Sequence, residues 1–188
     1  MLILIGLGLA CSSADQTSTS DDQVEQANKL LIEAKGREAE VNELLNRSKP
    51  IADDLLGPEL AKSKGKDIEA YKEKNKSRFA EVIEIREQSD KLGSELIGKL
   101  EEASKLTVPK VLDEYLDLRV EEAKKAQKIN GLLVPFLKIF LKTKDLVTMR
   151  QQFTEYNKSY VEADQEHNEA TDKLQQFQKE NMLPSESN

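Results

Sequence analysis

The chain has 188 residues, 34% of them charged, 5% aromatic and none tryptophan, and its 28 Lys and Arg stand against 35 Asp and Glu for a net charge of −7. That balance suits helices with wide wet faces and narrow apolar seams rather than a thick globular core, and the apolar residues recur too regularly for a disordered chain. The net charge is acidic and spread along the chain, so nothing resembles the basic footprint that a nucleic-acid binder requires, and the net charge by itself argues against attraction to anionic phospholipid.

In chain order the first feature is the uncharged run LILIGLGLA at residues 2–10, leading directly into Cys11. Nine apolar residues fall in the range of a secretory h-region and are too few to span a bilayer. Cys11 is the only cysteine, so it has no partner for an intrachain disulfide, and cysteine-based metal sites need several thiolates. Gly8-Leu9-Ala10-Cys11 resembles the lipobox of bacterial lipoproteins, over the first dozen residues only, with Gly8 where that motif usually has leucine. The resemblance implies that residues 1–10 are a signal peptide and that the chain is cut before Cys11. It further implies that Cys11 carries fatty-acyl chains of the palmitate type and holds the protein to the bilayer. Ser12, rather than Asp, after the cysteine implies the outer membrane of a Gram-negative envelope, with the body in the periplasm. The alternative is an uncut apolar end. Residues 12–23 (SSADQTSTSDDQ) lack Lys, Arg, aromatic and large aliphatic residues, the composition of a flexible tether spanning roughly 20 Å.

From Val24 to an expected end near residue 181, the pattern is helical. Val24, Ala27, Leu31, Ala34, Val41 and Leu45 fall at steps of three and four, interrupted by Glu38, and Pro50 followed by Gly57-Pro58 marks the end of the first helix. The basic stretch Lys62 to Lys66 reads as a solvated loop. A second helix is expected from Asp67 to Leu106 on the seam Ile68, Tyr71, Asn75, Phe79, Val82, Ile85, Ser89, Leu92, Leu96, Leu100 and Ala103. Thr107-Val108-Pro109 reads as a stop and restart, with Thr107 as a cap-type residue before a first-turn proline. A third helix carries Leu112, Leu116, Arg119, Ala123 and Ala126 on one face.

After Gly131 the texture changes, because Leu132 to Leu141 is apolar on all sides apart from Lys138. Two readings stand for this segment. It is a short helix closing the end of the bundle, or Leu133, Phe136, Leu137, Ile139 and Phe140 form an exposed apolar lip for a lipid tail or a partner helix. Thr143 is the expected N-cap of a last helix whose seam (Leu146, Met149, Phe153, Tyr156, Tyr160, Ala163, His167, Ala170, Leu174, Phe177) alternates steps of three and four without a slip. Residues 182–188 are expected to be a disordered tail. Short breaks between long helices favour antiparallel neighbours. The expected fold is therefore all-α, an elongated antiparallel helical bundle or coiled coil of three to four long helices. The polar seam residues Asn75, Ser89, Arg119 and His167 leave open a pair of hairpins completed by a second copy.

No constellation for chemistry stands out. His167, with Asp164 and Thr171 on the same side, lacks the second histidine that a carboxylate-bridged metal bundle takes, so it is expected to be hydrogen-bonded within the bundle. Thirty-five acidic residues make accidental pairs such as Asp53-Asp54 inevitable, and there is no phosphate loop and no nucleophile elbow. The sequence therefore predicts no enzyme, no metal and no cofactor. It predicts a lipid-anchored structural or adaptor protein of the envelope that meets a protein partner or itself through its helical faces. The alternative is a periplasmic binding module, holdase-like or amphiphile-binding, that works through residues 132–141.

Overall fold

A computed structural model describes residues 17–57, 60 and 66–183, and all regular structure among them is α-helical. Four helices have 28 to 40 residues: α1 (Thr17–Leu56), α3 (Lys76–Ala103), α4 (Lys110–Lys142) and α5 (Leu146–Glu180). A nine-residue helix, α2 (Lys66–Lys74), precedes α3. Ion pairs along the seams fix the directions. Arg37–Glu95 (3.1 Å) and Arg78–Asp54 (2.6 Å) run α1 antiparallel to α3. Lys124–Glu101 (2.7 Å) and Lys138–Glu87 (2.6 Å) do the same for α3 and α4, as do Lys125–Glu166 (2.8 Å) and Lys173–Glu121 (3.3 Å) for α4 and α5. The result is an up-and-down helical bundle.

The apolar core is uneven along the axis. At the end where α1 finishes, Leu55, Phe79, Val82, Phe136, Leu137, Phe140 and Met149 form one large cluster with Ile68 of α2. We call this the aromatic end. Toward the start of α1, the core narrows to Ala34, Leu96, Ile97, Leu100 and Ala123, then Leu30, Ala103 and Leu116. Small residues there let α1, α3 and α4 approach closely, as the alanine-bearing seams suggest.

Helix boundaries depart from expectation at six places. The first helix begins at Thr17, not Val24, so residues 17–23 are helical rather than tether; Gln23 accepts a hydrogen bond from the Thr107 N–H (2.6 Å) and ties this turn to the α3–α4 loop. α1 also runs through Pro50 to Leu56, because Ser48, Ala52 and Leu55 on either side are buried and their packing outweighs the lost backbone bond. It stops at Gly57, where a Cβ would lie 2.5 Å from the Asp53 carbonyl oxygen. The helix expected from Asp67 to Leu106 is divided at Asn75 (φ −103°, ψ 11°), where the backbone bonds from the Asn75 N–H to the Tyr71 carbonyl and from the Phe79 N–H to the Asn75 carbonyl (both 3.0 Å) persist and the Asn75 amide also donates to the Tyr71 carbonyl (3.0 Å).

The restart at 107–109 is capped by Pro109 rather than Thr107. Finally, there is no break at Gly131: α4 is a single helix through Gly131 and Pro135 to Lys142. Thr143 ends α4 instead of opening α5, its hydroxyl donating to the Ile139 carbonyl (3.0 Å). The N-cap of α5 is Asp145, which accepts from the Thr148 N–H (2.7 Å) and hydroxyl (2.5 Å). These two bonds hold the Asp145 carboxyl below its ordinary range. At the far end, the Leu183 N–H donates to the Gln178 carbonyl (2.8 Å), with Met182 at φ 54°, so α5 closes in a left-handed turn. The expected disordered tail lies, from residue 184 on, outside the described residues.

Candidate functional site

Cys11, with the whole signal-peptide and lipobox reading, lies outside the described residues. The apolar segment 132–141 lies within them. Leu133, Phe136, Leu137 and Phe140 are buried, whereas Ile139 is 51% exposed. The Phe136 ring stacks on Tyr156 at 4.4 Å between centroids and meets Phe153 edge-on at 4.8 Å, and Phe140 packs against Phe79 at 5.8 Å. Such offset and edge-on contacts add to the burial of large rings. In this packing the four residues close the bundle end; a lip made of them would require α5 to leave α4. Lys138 points outward to Glu87 and Pro135 is exposed, so the segment is buried on one broad face rather than all round.

Beside the aromatic cluster is Lys72, 5% exposed and not singled out by the sequence. Its Nζ donates to Glu69 Oε1 (2.9 Å) and to the Thr143 carbonyl at the end of α4, and sits 4.9 Å from the centre of the Phe140 ring. A cation over a ring and against the last carbonyls of a helix is favourable on both counts. The contact locks α2 onto the C-terminus of α4.

A second polar constellation crosses the narrow part of the core. Arg119 of α4, 5% exposed, donates to Glu38 of α1 (2.9 Å) and to Glu122 (3.0 Å), and the other Glu122 oxygen lies 3.1 Å from His167 Nε2 of α5. Three helices are thereby joined through one guanidinium and one carboxylate. Of the expected neighbours of His167, Asp164 accepts from Asn168 (3.2 Å), and the buried Thr171 hydroxyl has no hydrogen-bond partner. Glu122 was hidden in the sequence among adjacent acidic residues; its spacing of three from Arg119 was the one available signal.

Between the two ends lies a polar layer on α3. Burial pushes the Arg86 guanidinium down and the Asp90 carboxyl up, and it raises the Tyr156 phenol facing them. Arg86 Nε, Ser89 Oγ and Asp90 Oδ1 are buried without hydrogen-bond partners, while Gln127 Nε2 donates to the Asp90 carbonyl and to Ser94 Oγ (2.8 Å). An open groove of about 380 Å³ runs between α1 and α3, lined by Glu40, Glu43, Leu44, Gln88, Lys91, Leu92 and Glu95.

Among the described residues no group of three or more His, Cys, Asp or Glu is placed to hold a metal ion, and no helix is long and apolar enough to cross a membrane. Comparison with family models, curated proteins and solved structures finds no match to this chain.

Proposed function

We propose that the protein is a membrane-anchored bacterial lipoprotein whose helical body acts as a structural or adaptor rod in the cell envelope. The observation that carries this reading is the nine-residue apolar run ending in Gly8-Leu9-Ala10-Cys11. Its fatty-acyl chains at Cys11 would enter the bilayer, favouring the outer membrane in a Gram-negative cell, with the body in the periplasm. Two or three acyl chains suffice for stable anchoring, since each buried CH₂ contributes about 0.8 kcal/mol. The start of α1 at Thr17 supports an end-on stance: six residues after Cys11 the chain enters a 40-residue helix, about 60 Å long, that leads to the aromatic end. The seams between the long helices are proposed to pack as an antiparallel coiled coil, and the charged outer faces to meet a protein partner or a second copy. No catalysis is assigned, and the acidic body is not suited to nucleic acid.

The alternative, a holdase-like or amphiphile-binding module, would work by opening the aromatic end to expose Leu133, Phe136, Leu137 and Phe140 together with Ile139. Burial of four of the five weighs against it. Detergent phase partitioning of the wild type and of Cys11→Ala, with intact-mass measurement, tests the anchored reading. The wild type is expected in the detergent phase with the added mass of acyl chains, and the variant without that mass. Equal masses and equal partitioning into the aqueous phase would overturn it.

A further inference from the structure

Although the net charge is −7, the fold sorts it between the two ends. The half of the bundle toward the aromatic end, residues 41–57, 60, 66–91 and 129–161, contains 14 Lys and Arg against 12 Asp and Glu. The half toward the start of α1, residues 17–40, 92–128 and 162–183, contains 12 against 20. Among the described residues one half is thus +2 and the other −8. At 0.15 M salt the screening length is about 8 Å, so a surface touching the tip of the aromatic end does not feel the acidic half tens of ångströms away.

The excess is concentrated at the corner where α4 turns into α5. Ile139 is 51% exposed and Val147 73%. Within α4 Ile139 has Lys142 three residues on, and within α5 Val147 has Arg150 three on, spacings that put each cation beside an exposed apolar side chain, while Lys144 stands in the connection between the two helices. Lys142, Lys144 and Arg150 are exposed and enter no ion pair among the described residues. The neighbouring acids are Asp145, whose carboxylate is occupied by Thr148, and Glu69, which is paired with Lys72 beside the Thr143 carbonyl; Lys138 is already paired with Glu87. The partial negative charge that α4 would bring to this corner is met by Lys72 on the Thr143 carbonyl and by the Thr143 hydroxyl on that of Ile139.

We propose that this corner is a docking surface for an anionic lipid bilayer. Apolar side chains interleaved with unpaired cations on a convex helix–helix corner match the boundary between headgroups and acyl chains, where apolar burial and attraction to anionic lipid act together. An acidic polypeptide would be better served by a groove, and the groove described above is lined by carboxylates. The proposal does not depend on acylation of Cys11. If Cys11 is acylated, the corner lies at the opposite end of the rod and grips a second lipid surface facing the first.

The chain has no tryptophan, so Val147→Trp places a single reporter at the corner of the full-length protein. With vesicles of phosphatidylcholine and phosphatidylglycerol, its emission should move to shorter wavelength and become protected from iodide. Pure phosphatidylcholine should produce neither change. Adding Lys142→Glu, Lys144→Glu and Arg150→Glu should weaken the response by at least about a hundredfold, since each cation near an anionic surface contributes roughly a factor of five. An apolar N-terminus entering the vesicles would leave this reporter in water. A reporter that stays water-exposed with anionic vesicles, shifts equally with neutral ones, or ignores the charge reversals overturns the proposal. So does a shift produced by poly-glutamate but not by vesicles, which would make the partner an acidic polypeptide. Circular dichroism melting checks that the variants fold, and Lys144→Glu alone, at an exposed position between helices, serves should the triple variant not fold.

Discussion

Lys72 illustrates how a single charged side chain can act as a core residue here. Its stem lies against Phe140 and its ammonium completes the end of α4 at the Thr143 carbonyl. Replacing it by methionine keeps the stem but leaves that carbonyl without its donor, so Lys72→Met is expected to cost about 1–3 kcal/mol in urea unfolding. An unchanged midpoint would show that the contact is dispensable. Phe136 is a sharper case, because its ring is enclosed by Phe140, Phe153 and Tyr156. Phe136→Asp would bury a carboxylate without a partner, which costs several kcal/mol and a large share of an ordinary domain's stability. Its melting temperature is therefore expected to fall steeply. If the variant melts like the wild type, the ring is not core. Glu166 sets a pH dependence. Hydrogen bonds from Lys125 and Lys128 hold its carboxyl down to about 2. A depressed carboxyl stabilises the fold above its ordinary value and loses that contribution as pH falls through the folded one. Melting curves of the wild type and Glu166→Gln should accordingly differ at neutral pH and converge between about pH 4.5 and 2. A difference that persists at pH 2 would show that the two lysines are not its cause.

At the scale of elements, the breaks were the least legible part of the sequence. Periodicity in steps of three and four places residues on a face but says nothing about whether neighbouring helices will hold a poor helix former in place. Pro50 and Pro135 are both interior to helices, each at an exposed position, because the residues around them are buried. Asn75, which fits the seam, departs from helical dihedrals while its N–H and its side-chain amide both donate to the Tyr71 carbonyl. Pro135→Ala therefore gains a backbone donor at a site with little packing to lose. The intrinsic preference of about 3 kcal/mol, less the added freedom of the unfolded chain, predicts stabilisation of about 2 kcal/mol, measured by thermal unfolding. Destabilisation instead would mean that the local bend at Pro135 is needed to seat Phe136 and Phe140.

For the molecule as a whole, the two ends differ in what holds them. Phenylalanines and leucines fill the aromatic end, while leucines, Ile97 and alanines with no buried aromatic ring, together with the Arg119–Glu122–His167 chain, occupy the narrower part. Burial of large side chains contributes more per residue, and opening free energies follow local packing. Amide hydrogen exchange is thus expected to be slowest at residues 133–141 of α4 and faster at 24–34 of α1. The reverse order would show that the polar chain, not the aromatic cluster, anchors the bundle.

The all-α class and most seam positions could be read from residue spacing, because burial on one helical face is a local, periodic property of the chain. The same holds for a hydrogen-bonded His167, since one histidine in a seam leaves few alternatives, although its partner Glu122 could not be named. Where α1 begins and α4 ends, how Lys72 becomes buried, and which of Leu133 to Phe140 face inward depend on contacts between residues far apart in sequence. Charge divides in the same way. Its sum of −7 is a property of composition, and residues 129–161 carry 5 Lys and Arg against 2 Asp and Glu in the sequence itself, but antiparallel packing sets that stretch at the end opposite the start of α1 and gathers the acidic stretches at the other. Electrostatic attraction acts over ångströms in space rather than residues along the chain, so the tertiary structure alone decided where this acidic protein presents positive charge.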